Sequence, residues 1–162
     1  MAEDVEKDIP DNEGVVRGIC TPYHYDPKKG KLKKGAFKQK DPTRGVSVYR
    51  TQIMSAANCK ERAKALGNAD KQYVGLAHLT AGTVRRAEAE ISDTREEVFY
   101  GHADIFIVTE ADGYQAEPGE PLPPEISDLV DKRITAILAD TRFFLDPLPE
   151  TDDWHGPDLA AA

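Results

Sequence analysis

Tyr73-Val74-Gly75-Leu76-Ala77-His78-Leu79-Thr80-Ala81-Gly82-Thr83 is the stretch on which the fold class turns. Its first seven residues are almost wholly apolar, the mark of a strand covered on both faces and therefore central in its sheet. Thr80 follows at once as the N-cap of a short helix through Val84 to Ala89, its hydroxyl placed to accept from a backbone N–H of the first turn.

Outward from this unit, toward the start of the chain, Ser55 predicts an N-cap for a helix over 56–66, and Gly67 its stop. Val46-Ser47-Val48-Tyr49-Arg50 alternates and is β-branched, which predicts a strand. Residues 15–20 predict another, interrupted by Arg17, and residues 23–25 extend it toward a turn. Asp26-Pro27-Lys28-Lys29-Gly30 and Asp41-Pro42-Thr43-Arg44-Gly45 share one turn signature, with Asp first, Pro second and a late glycine. Toward the other end, Ile91 begins a weak strand and residues 102–109 a strong one. Pro124 opens a helix to about Ala139, with Ile126, Leu129, Val130, Ile134, Ile137 and Leu138 as its apolar stripe. Phe143, Phe144 and Leu145 then form a docking tail. The expected class is α+β, a single small domain with a mixed, twisted sheet of about five strands and two or three helices.

The chain has 162 residues, 40% of them apolar and 31% charged, with a formal net charge of −8. That length suits one core. Membrane-spanning, collagen-like, coiled-coil and disulfide-rich classes do not fit, and the acidic start carries no apolar secretory stretch. A cytoplasmic location is expected, with Cys20 and Cys59 as reduced, core-packed thiols. Composition divides the chain into a flexible acidic segment over 1–13, an α+β core over 14–109 and a Pro/Gly-rich linker or loop over 110–124. An amphipathic helix packed on the core follows over 125–145, then a flexible acidic tail over 146–162.

Charge is uneven: residues 28–50 hold nine basic side chains against one acid, whereas residues 91–162 are strongly acidic. Lys28, Lys29, Lys31, Lys33, Lys34, Lys38 and Lys40 fall in one window beside Tyr23, Tyr25 and Phe37. Ammonium groups neutralise phosphates and aromatic faces stack on unpaired bases, so this hairpin is the first binding candidate. The competing reading is a solvated hairpin whose lysines protect a sheet edge.

A second constellation is dispersed. Arg17, Arg50 and His78 each interrupt or end an apolar strand, and a guanidinium buried there needs a partner. His102 and Asp104 share one face of their strand, because side chains alternate with period two. With Ser47 or His102, the arginines and His78 would line an anion-binding cleft if their strands are neighbours. The plainer alternatives are a hydrogen-bonded core histidine at 78 and a solvent-facing pair at 102 and 104. The helix start at Thr80-Ala81-Gly82-Thr83 offers backbone N–H groups to an anion, although such turns usually only cap their helix. Asp152-Asp153-Trp154-His155 has the composition of a short docking peptide.

No metal-ligand, nucleotide-loop or nucleophile-elbow motif is present, so no cofactor is expected. The leading expectation is a binding module that takes an acidic protein or nucleic acid on the lysine hairpin, with a protein partner for the Trp154 tail and no membrane. The alternative is a small enzyme acting on a phosphate-bearing nucleotide or nucleic-acid substrate, with arginine to hold the anion and histidine to move protons.

Overall fold

The computed structural model describes residues 5–39, 44–97, 99–113 and 122–159. Among the described residues there are eight strands: β1 Gly14–Thr21, β2 Tyr25–Asp26, β3 Lys31–Leu32, β4 Val46–Arg50, β5 Gln72–Thr80, β6 Glu90–Asp93, β7 His102–Phe106 and β8 Arg142–Leu145. The helices are α1 Ala56–Ala65, α2 Ala81–Arg86 and α3 Pro124–Ala139. Six strands form one sheet in the order β6-β7-β4-β1-β5-β8, every neighbouring pair antiparallel. The α+β class stands, with one strand more in the main sheet than expected and with antiparallel pairing throughout it where a mixed sheet was expected. The extra strand is β8: Phe143 and Phe144 do not simply dock but pair with Ala77 and Leu76 on β5. β5 is therefore laddered on both sides, as its apolar run requires.

Period-two alternation splits the sheet into two buried faces. Val15, Ile19, Val48, Ala77, Leu79, Ala103 and Ile105 pack with Val84 of α2, Ile134 and Ile137 of α3 and Phe37. Val16, Cys20, Tyr49, Tyr73 and Leu76 pack instead with Cys59 and Ala63 of α1. The helix boundaries follow the caps. The Ser55 side chain accepts from Asn58 N–H at 3.1 Å and the Thr80 side chain from Thr83 N–H at 3.2 Å, while Pro124 stands in the first turn of α3. α1 approaches β1 closely because residue 18 is glycine; a Cβ there would lie 2.5 Å from the Ala63 Cβ.

The turn at 26–30 forms as expected. The Asp26 side chain accepts from the Lys28 and Lys29 amides, and Gly30 closes it with φ +65°. Its second copy, over 41–45, lies largely outside the described residues. Gln39 extends β7 beyond its last rung: its amide donates to Val108 O at 3.1 Å and accepts from Val108 N–H at 3.0 Å.

Where described, the terminal segments are anchored, contrary to a reading from composition alone. Ile9 is in the first core cluster and Leu159 in the second. Lys60, wholly buried, lies 2.8 Å from Asp146 Oδ2 and donates to the carbonyls of Leu148 and Asp153 at 2.8 Å each. Two apolar anchors and a few buried charges fix segments whose average polarity reads as disorder. No helix among the described residues is long and apolar enough to cross a membrane.

Candidate functional site

β1 and β4 pair over only two positions, Val15 with Arg50 and Val16 with Tyr49, and then diverge. The fork opens a cleft of about 690 Å³. Arg17 lies in it, its Nε donating to Ala36 O at 2.9 Å and its Nη1 to Ser47 O at 3.0 Å. No carboxylate among the described residues forms an ion pair with this guanidinium, and its burial pulls the pKa down. Such a group is costly unless an anion completes it.

Among the described residues, the cleft is lined by four cationic residues, Arg17, Lys38, Arg44 and Lys71, and one carboxylate residue, Asp104. His24 contributes a neutral imidazole. Burial, followed by the charges of Arg17 and Lys71, pushes its pKa down to about 4, and its Nδ1 accepts from Cys20 N–H at 3.0 Å.

On the β4–β7 wall, Ser47 and His102 are diagonal neighbours, since Ser47 pairs with Asp104 and Tyr49 with His102. Ser47 Oγ and His102 Nε2 are 2.8 Å apart, and Thr94 Oγ1 is 2.7 Å from Nδ1. Asp104 Oδ1 stands 3.9 Å from Nε2, on the face that alternation assigned to it. Both imidazole nitrogens are thereby held, which fixes the ring plane.

Of the dispersed constellation, the fold brings together Arg17, Ser47, His102 and Asp104, and places Arg50 and His78 elsewhere. Arg50 is consumed within the protein. It donates to both Glu13 oxygens at 2.7 and 2.8 Å, to Asp93 Oδ2 at 2.6 Å and to Glu6 O at 2.7 Å. The Glu13 hydrogen bonds raise its pKa, and four of its five N–H donors are taken up within the protein. His78 lies over Gly14, at the opposite end of β1 from the cleft, where burial and Arg142 lower its pKa. The Thr80 helix start is also occupied. Ala81 and Gly82 N–H donate to the carbonyls of Glu13 and Asp11, and Thr83 N–H donates to its own cap.

The lysine hairpin survives only in part. Lys28, Lys29, Lys31 and Lys33 are exposed on the β2–β3 ribbon and its exit, Lys33 donating to Pro22 O. Lys34 is paired with Asp131 of α3, Lys38 belongs to the cleft, and Lys40 lies outside the described residues. The expected stacking platform is corrected: Phe37 is wholly buried, and Tyr25 packs on Phe143 at 4.7 Å between ring centroids. Apolar area wins both rings for the core, and only Tyr23 is exposed. Trp154 is half-buried against the second cluster, with its Nε1 donating to Pro157 O.

His24 and Lys71, which line the cleft, and Thr94, which reaches it only through His102, escape sequence reading because long-range placement and not spacing brings them there; His24 alone offered a signal, a polar ring between two tyrosines before a turn. Comparisons with family models, curated proteins and solved structures find no match to the chain, so function is read from geometry.

Proposed function

We propose that the fork between β1 and β4 binds a phosphate-bearing ligand, a nucleotide or a nucleic-acid segment. The observation that carries this reading is Arg17: a part-buried guanidinium whose hydrogen bonds, among the described residues, go to two carbonyls, with Asp104 as the nearby carboxylate, in a cleft also lined by Lys38, Arg44 and Lys71. A phosphate would accept its remaining N–H donors in a charge-assisted pair.

The exposed lysines extend the same surface. The β2–β3 ribbon springs from the cleft wall, since Lys33 N–H donates to His24 O and both His24 and Gly35 line the cleft. A mononucleotide would use the fork alone; a longer strand would also meet Lys28, Lys29 and Lys31. Each phosphate so neutralised releases counterions and steepens the salt dependence.

Calorimetric titration with inorganic phosphate, a nucleoside monophosphate and a single-stranded oligonucleotide separates these sources. Arg17→Met and the surface pair Lys38→Glu with Lys71→Glu are expected to weaken all three by about tenfold or more. A triple change of Lys28, Lys29 and Lys31 to Glu should weaken the oligonucleotide alone. Affinity unaltered by the cleft variants would overturn the reading.

A further inference from the structure

We propose that Ser47 and His102 catalyse phosphoryl transfer from a phosphate ester whose leaving group is a flat ring. This inference rests on the reading of the fork as a phosphate site and deepens it. The pair stands on the wall shared by two cavities. On one side lies the cationic cleft, where Arg17 Nη1 donates to the carbonyl of Ser47 itself. On the other is a smaller cavity of about 170 Å³, lined among others by Tyr49, Arg62 and Phe99. The Phe99 ring lies 5.9 Å from Tyr49 and 5.3 Å from His102 between centroids, and the Arg62 guanidinium sits 3.9 Å over it. A phosphate on Arg17 and a ring among these groups would place phosphorus within reach of the Ser47 hydroxyl, the step requiring the bridging ester oxygen to lie across phosphorus from Oγ.

The ring contacts of His102 suit the chemistry. In the tautomer with Nδ1–H donating to Thr94 Oγ1, Nε2 accepts from the Ser47 hydroxyl. Ser47 Oγ attacks phosphorus and gives its proton to Nε2. The bond from phosphorus to the leaving oxygen, opposite the attacking Oγ, breaks; the ring departs as its oxide and receives the Nε2 proton through water. Water then attacks the phosphoserine and gives a proton to Nε2; phosphate departs, and Ser47 Oγ regains that proton. The net reaction is ester plus water to ring alcohol plus phosphate. Asp104, 3.9 Å from Nε2, favours the transient imidazolium, and Thr94 is a positioning residue.

The test uses the full chain with p-nitrophenyl phosphate, following nitrophenolate release and, by mass spectrometry after acid quenching, a phosphoryl group on Ser47. Ser47→Ala and His102→Gln are expected to lower turnover by about 100-fold or more while inorganic phosphate binds within about twofold of the unaltered protein. Ser47→Cys, nearly isosteric, guards against loss of fold. Glycerol phosphate should turn over more slowly than the aryl ester, and Phe99→Ala should narrow that gap. Arg17-dependent phosphate binding without release or adduct would overturn this inference alone. Absence of phosphate binding would overturn the reading of the fork beneath it, and equal turnover of the two esters would overturn the ring specificity.

Discussion

Replacing Lys60 by Met would leave the Asp146 carboxylate buried without its cation. Lys60 and Asp146 side chains are both wholly buried and 2.8 Å apart, and the same ammonium donates to Leu148 O and Asp153 O. Removing one partner of a buried pair costs about 3–5 kcal/mol, because the remaining charge stays desolvated. Taking a urea dependence of about 2 kcal/mol per molar, the unfolding midpoint should fall by about 2 M. The double variant Lys60→Met with Asp146→Leu removes both charges and should recover much of the loss. The pH dependence carries a sign. Burial alone would raise the Asp146 carboxyl, but hydrogen bonds from Lys60 and the Tyr73 hydroxyl, the latter at 2.7 Å, hold it below the usual carboxylate range. Its contribution is therefore present above the unfolded pKa of about 4 and lost as pH falls through the folded value. Without Lys60 burial dominates and raises the carboxyl above its unfolded value, so the gap between the two proteins should begin to narrow while the pH is still above about 4 and go on narrowing below it. A loss under about 1 kcal/mol at neutral pH would refute the assignment of Lys60 as the anchor of residues 146–153.

Two further outcomes are accessible to simple measurements. Gly18→Ala forces a methyl to 2.5 Å from Ala63 Cβ and should cost about 1–3 kcal/mol in denaturant unfolding, with Ala63→Gly restoring part of it. The His24 imidazole should titrate near 4 by NMR; because its folded pKa lies below the unfolded 6.5, it makes stability rise with pH across that interval, and a midpoint near 6.5 would show a solvated cleft.

Much of this architecture is written locally. An apolar run ending in Thr80, the Ser55 cap and Pro124 each fix an element through its own backbone chemistry, and all three stand where expected. β8 is not written that way: Arg142-Phe143-Phe144-Leu145 becomes a strand because β5 offers it a ladder. The site divides along the same line. Period two put His102 and Asp104 on one face, and Arg17 was conspicuous as a charge inside an apolar strand. That Arg50 would be absorbed by Glu13 and Asp93 depends on a segment whose composition reads as disordered, and Thr94 reaches His102 only through the β6–β7 turn. Fates of this kind are settled by long-range partners, which residue spacing does not encode.

Arg17 also takes the place of missing rungs. Where β1 and β4 part company, its guanidinium spans the gap, hanging from Ala36 on one side and Ser47 on the other. One side chain thus splices two strands and presents a cation to whatever enters between them. Occupancy and the integrity of that seam are then the same equilibrium seen from two ends. A ligand should slow amide exchange along the first residues of β4, and a substitution that loosens those residues should cost affinity without touching the ligand at all.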